Sequence, residues 1–220
     1  MGIDDKENPE CNDCISERDL LRSISYHESG HTALARITGR HVLQIIDSRL
    51  RIVGYEGISI IPHQLAPIFS GKLTSKERIF HLLVGFAIQG ILEKNKKNKL
   101  GEKMIKGHWD NSSNQPDISK SLKILKKKYI DTAENKQQKI IEDIIGKIQT
   151  FLESETKLKE FIARLAYINQ RQKLLLPEDI NGAEKYAGID ANEKNRLRAG
   201  INKLDLLDFS SSSSPLSSEE

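Results

Sequence analysis

His27, Glu28 and His31, in the stretch SYHESGHTAL (25–34), are the residues whose types and spacing can do metal chemistry. On a helix, positions four apart lie on one face about one turn apart. Two imidazoles so placed can reach one ion, each at roughly 2.0–2.1 Å if that ion is zinc. Glu28 follows the first imidazole and projects toward the open side of the ion. Zinc lowers the pKa of a bound water to about 7, and an adjacent carboxylate can take its proton as the water attacks a carbonyl. The H-E-x-x-H spacing therefore predicts a zinc hydrolase with Glu28 as its catalytic base. The competing reading is an ordinary helix carrying two partly exposed histidines. A catalytic zinc needs a third protein ligand, and His63, His108, Asp110 and Asp117 are the candidates.

The elements around the motif must hold it rigidly. Ser16 and Asp19 can cap a helix, and apolar Leu20, Leu21, Ile24, Leu34 and Ile37 continue its pattern to about residue 38, where Gly39 stops it. The motif then lies well inside the helix. Residues 41–62 hold three short β-branched runs, HVLQII, RLRIVGY and GISIIP, which read as strands, and Pro62 suits an edge position. Residues 75–94 read as a mostly buried helix in which Gly85 and Gly90 permit close packing. The stretch 95–116, rich in Lys, Asn, Ser and Gly, reads as a long loop. Helix pattern dominates from Asp117 to about 170, and LLLPEDINGAEKY suggests a turn and one more short helix. The expected fold is α+β and mostly helical, a zincin-like peptidase domain with a small sheet following the H-E-x-x-H helix. The domain spans 16–204, between a disordered acidic N-terminus (1–15) and a disordered Ser-rich tail (205–220).

The chain has 220 residues, 37% hydrophobic and 30% charged, with a formal net charge of +3. That bulk charge does not mark a polyanion binder. Lysines cluster at 94–99 and again at 120–128; the latter lack interleaved aromatics and read as a solvated helix face, so no nucleic-acid partner is expected. Cys11 and Cys14 form a lone C-x-x-C, read as a free reduced pair. No apolar run is long enough to span a membrane, and the acidic N-terminus lacks a signal-like apolar core. A cytoplasmic protein without direct membrane insertion is expected.

ISYHESGHTAL resembles the motif helix of the FtsH-type zinc peptidases (the M41 family), including Tyr26 and Gly30 as well as the three chemical letters. SIIP (59–62) and LVGFAIQGI (83–91) follow in the family's order, and LLLPEDINGA resembles its late leucine run and helix. The likeness covers about residues 20–187 and is specific at 24–34. It implies that Asp117, in SSNQPDISKSL, is the third metal ligand beside His27 and His31, with Zn²⁺ as cofactor. The glycine-alanine pair that normally precedes this aspartate is absent. No G-x-x-x-x-G-K-[ST] phosphate loop occurs, so the resemblance implies a free-standing M41-like domain without the ATPase module.

The function expected is that of a metalloendopeptidase hydrolysing flexible or unfolded polypeptides without its own ATPase. The run 57–62 (Ile58, Ser59 and Ile60 at its centre) is the candidate edge strand for an extended substrate. His63, just beyond it, is a surface histidine or a substrate contact, and Trp109 anchors its loop. A homo-oligomer, or a separate ATPase or adaptor, is the expected partner besides the substrate. The alternative is a catalytically idle M41-like domain that binds or regulates other proteins.

Overall fold

Helix α1 (Glu17–Ile37) is enclosed along most of its length: Ile24, Ala33, Leu34, Ala35 and Ile37 are all core, and so are the polar Ser23, Ser25, Ser29 and Thr32. The computed structural model describes residues 17–40, 43–47, 56–60, 73–94, 99–110, 115–126, 133–172 and 174–207. Gly39 ends α1 with φ of 78°, a left-handed value that costs a side-chain-bearing residue dearly. The N–H groups of Gly39 and Arg40 turn back onto Arg36 O and Ala35 O, satisfying carbonyls the helix leaves over.

Helix α2 (Ser75–Glu93) is the hub of the fold. Thr74 opens it: its side chain accepts the Glu77 N–H while Glu77 accepts the Thr74 N–H, a reciprocal cap. Ile79, Phe80, Leu83, Val84, Phe86, Ala87 and Ile88 are buried along it. Full burial contributes about 1.5–3 kcal/mol for each large side chain among them. Around α2 pack α1, α3 (Leu100–Trp109), α4 (Pro116–Lys126), α5 (Glu134–Ser154) and, near its N-terminus, α8 (Ala191–Lys203). Glu77 ties α8 down by accepting from Arg198 Nε at 2.6 Å and Asn202 Nδ2 at 2.9 Å. Helix α6 (Thr156–Gln172) covers the other side of α1, and α7 (Pro177–Tyr186) packs on α6. Arg36 of α1 reaches Glu184 of α7 at 2.6 Å.

The expected α+β class with a zincin-like sheet after the motif helix is corrected by this arrangement. Apart from a short strand ladder, 85% of the described residues are helical, and the protein is all-α in class. Among the residues whose burial is described, the core lies on the helices and the turns that follow them, with Leu175 besides. The β-branched runs suggested a sheet-bearing fold, but the described core is built mainly by α1, α2, α5 and α6. The ladder consists of β1 (Leu43–Asp47), β2 (Glu56–Ile60) and the two-residue β3 (Leu174–Leu175), antiparallel in the order β2-β1-β3. The run 49–55 lies outside the described residues.

The long loop expected at 95–116 is also corrected, since α3 occupies its middle. Met104, Ile105 and Trp109 pack against the core, and Gly101 and Gly107 are buried. Three lysines and two glycines over 99–107 mask that apolar side in the sequence. At the other end, Leu206 is fully buried, so packed chain continues past Leu204. The N-terminal segment with Cys11 and Cys14, and the serine-rich stretch from 208 on, lie outside the described residues.

Candidate metal centre

His27 and His31 stand one turn apart on α1, both under 8% exposed, with ring centroids 4.9 Å apart. Each ring is held from behind through Nδ1. His31 Nδ1 lies 2.7 Å from the backbone oxygen of His81, and His27 Nδ1 lies 3.0 Å from Gln89 Oε1. A carbonyl oxygen can only accept, so in each pair the imidazole Nδ1–H donates. Both Nε2 atoms are thereby left with a lone pair, the form in which histidine binds a metal.

Asp117 faces those lone pairs. Its Oδ2 is 3.4 Å from His31 Nε2 and 3.9 Å from His27 Nε2. Pro116 begins α4, so this carboxylate sits in the helix's first turn, where the helix dipole favours negative charge. Ile118, fully buried on the next position, fixes that turn against the core. Three Lewis bases thus converge: the donor atoms of His27, His31 and Asp117 all lie within 4.8 Å of one another. Ligands on a tetrahedral ion with bonds near 2.05 Å are about 3.3–3.4 Å apart, so these two separations need little adjustment. The group can hold a metal ion.

The electrostatics express the same crowding. Burial pushes the Asp117 carboxyl up, but the bonds and charges of His27 and His31 overcome it and hold it well below the usual carboxylate range. For His31, burial favours the neutral ring, while the bond to Asp117, the charges of Glu28 and Asp117 and the His81 carbonyl outweigh it and raise its pKa. A cation is favoured between these groups, whether a proton or a metal. His81 itself is pushed down to about 3, by burial first and then by the charges of His31 and Arg40, so its ring stays neutral.

Glu28 is 8% exposed and its charge acts on His31. It stands outside the group of three converging donors. Phe86 closes the apolar side, meeting the His27 ring edge-on at 4.9 Å.

The other residues singled out in the sequence fall elsewhere. His108 sits in the last turn of α3, where its Nδ1 accepts the Gln115 N–H at 3.3 Å, and burial lowers its pKa. Asp110 ends α3, with its N–H on Lys106 O. Neither joins the converging group. His63 lies outside the described residues. Ile58, Ser59 and Ile60 pair with Ile45, Gln44 and Leu43 of β1, and β2 runs beside α1. Among the described residues, the far side of β2 carries no strand. Trp109 packs against the core and meets the His108 ring edge-on.

Sequence reasoning missed the groups behind the histidines. The His81 carbonyl is invisible to any motif. Gln89 could have been suspected, as a polar residue in the apolar run LLVGFAIQGIL. Among the described residues no helix is long and apolar enough to cross a membrane. No family model matches the chain, and neither does any curated protein.

Proposed function

We propose that the chain is a zinc-dependent metalloendopeptidase acting on flexible or unfolded polypeptides. The observation that carries this reading is the pairing of two imidazoles, both fixed with Nε2 lone pairs inward, with one carboxylate, next to Glu28. Two nitrogens and one oxygen from the protein match a catalytic zinc site, which keeps its fourth position for water. His27, His31 and Asp117 are the ligands in this proposal. Zinc bound there would supply Lewis acidity toward a carbonyl oxygen and a water acidified to about pKa 7.

The protein's own groups do the rest. Glu28 takes the proton of the attacking water and delivers it to the departing amine, the usual service of a positioned carboxylate. The two imidazoles stay fixed, because each is bonded from behind through Nδ1. The outer edge of β2, at Ile58, Ser59 and Ile60, offers backbone groups to an extended peptide running beside α1. Such pairing requires an unfolded segment, which sets the substrate class.

The test is Glu28→Gln in the zinc-loaded protein, with an unfolded reporter polypeptide as substrate. Wild type should cleave it, and the variant should keep its zinc and lose cleavage by a hundredfold or more, the scale of positioned acid–base catalysis, about 10²–10⁴. A zinc-loaded wild type that leaves unfolded polypeptides intact would favour the non-cleaving, protein-binding alternative.

A further inference from the structure

Two rows of residues spaced by four face each other across the contact of α1 and α2: Ser23, His27 and His31 on one side, His81, Gly85, Gln89 and Glu93 on the other. The rows run antiparallel, so that His31 meets His81, His27 meets Gly85 and Gln89, and Ser23 meets Gln89 and Glu93. Beyond His27 the polar contacts form one chain. Ser23 Oγ donates to Glu93 Oε1 at 2.6 Å, Gln89 Nε2 donates to Ser23 Oγ at 3.0 Å, and Gln89 Oε1 faces His27 Nδ1 at 3.0 Å. The second Glu93 oxygen accepts the Gly101 N–H of α3 at 2.9 Å. Ser23, Gln89 and Glu93 are all at most 3% exposed, so water cannot substitute for a lost member.

We propose that Glu93, acting through Ser23 and Gln89, is a positioning residue that selects the metal-binding tautomer of His27. The direction of every bond follows from its far end. A carboxylate oxygen accepts, so the single Ser23 proton points to Glu93. Ser23 Oγ must then accept from Gln89, which turns the amide NH2 toward Ser23 and the amide oxygen toward His27. His27 Nδ1 must donate to that oxygen, and Nε2 is left bare toward Asp117. With the Gln89 amide reversed, His27 would carry its proton on Nε2, aimed at Asp117, where it would exclude an ion. His31 obtains the same orientation from a backbone carbonyl, which no substitution removes. Only His27 depends on side chains for it, and that dependence makes Glu93, Gln89 and Ser23 selectable parts of the site.

The assignment rests on the metal site proposed above, but its first test needs no metal. Imidazole ¹⁵N spectra of metal-free protein, at a pH where both rings are neutral, report which nitrogen carries the proton. Wild-type His27 should be the Nδ1–H form, and Ser23→Ala and Gln89→Met should each lose that preference. Their zinc dissociation constants, measured by chelator competition, should rise by about tenfold to a hundredfold. Ser25→Ala serves as control, because it removes a buried hydroxyl from the same helix that, among the described residues, bonds Leu21 O and no member of the row. It should change neither readout. An Nε2–H His27 in wild type, or an unchanged tautomer and zinc affinity in both variants, overturns the assignment. A wild type with the expected tautomer, lost in the variants, that binds no zinc would keep the positioning chain and reject the metal.

Discussion

The imidazole of His27 occupies the space that a side chain on Gly85 would need. An ideal Cβ there lies 2.5 Å from both Cε1 and Nε2 of the ring and 2.6 Å from Cδ2. Gly85 is in the interior of α2, where glycine is less favourable than alanine by about 1 kcal/mol. At this position the glycine serves the site at the expense of the helix.

Gly85→Ala should therefore separate stability from metal binding. Helix propensity alone favours the variant, yet the new methyl must push His27 away from its bond to Gln89 and its aim at Asp117. Zinc content should fall sharply while the far-ultraviolet dichroism of the helices persists. Zinc retained at the wild-type level would mean that the His27 ring is not where the site needs it.

Zinc affinity should rise with pH. In the metal-free protein the raised pKa of His31 means that its charged contact with Asp117 contributes fully below the unfolded value, about 6.5, and is lost as pH climbs through the folded value. The lowered Asp117 carboxyl contributes above its unfolded value, about 3.9, and loses its effect on acidification toward the folded one. Between those limits a proton occupies the place of the metal. Binding must expel it, so affinity should drop about tenfold per pH unit below the His31 pKa and level off above it. Chelator competition from pH 6 to 8.5 reads this directly, and a flat profile would exclude His31 as a ligand.

The cap of α2 carries a separate prediction. Glu77 is fully buried against Arg198, and Arg198→Ala removes its charged partner, leaving Asn202 and the Thr74 N–H. The cost should be roughly 3 kcal/mol at neutral pH, read from denaturant midpoints. Burial pushes the Glu77 carboxyl up, but Arg198, Asn202 and the Thr74 N–H bring it below the ordinary value. Its contribution is thus present above the unfolded carboxylate pKa, about 4.3, and fades as pH falls through the folded one. The difference between wild type and variant should shrink below about pH 4; a gap that stays constant into acid would place the loss in packing.

His108→Ala and Asp110→Ala should leave zinc stoichiometry unchanged. Both residues lie outside the converging donors, and His108 is engaged by the Gln115 N–H. Loss of zinc in either variant would redraw the ligand set.

The helix carrying His27 and His31 was legible because an i, i+4 spacing fixes a shared face whatever the tertiary structure. Asp117 was not legible from residue types alone: four candidates stood level, and a resemblance was needed to choose one. Gln89 and Glu93 stayed hidden because their value lies in an interhelical register that periodicity does not encode. Only their four-residue spacing from His81 and Gly85, in an otherwise apolar helix, was there to notice. The fold class was misread because β-branched runs at 41–62 advertise strands but say nothing of how much of the fold the helices build. Helix α3 was missed for the opposite reason, since its lysines and glycines conceal the side formed by Met104, Ile105 and Trp109.

Zinc per chain, determined by elemental analysis on wild type and Asp117→Ala side by side, tests the central claim most directly. The account predicts about one zinc in wild type and little in the variant, because two imidazoles without the carboxylate make an incomplete site. A variant that keeps its full zinc, or a wild type that takes none after metal is added back, would contradict it.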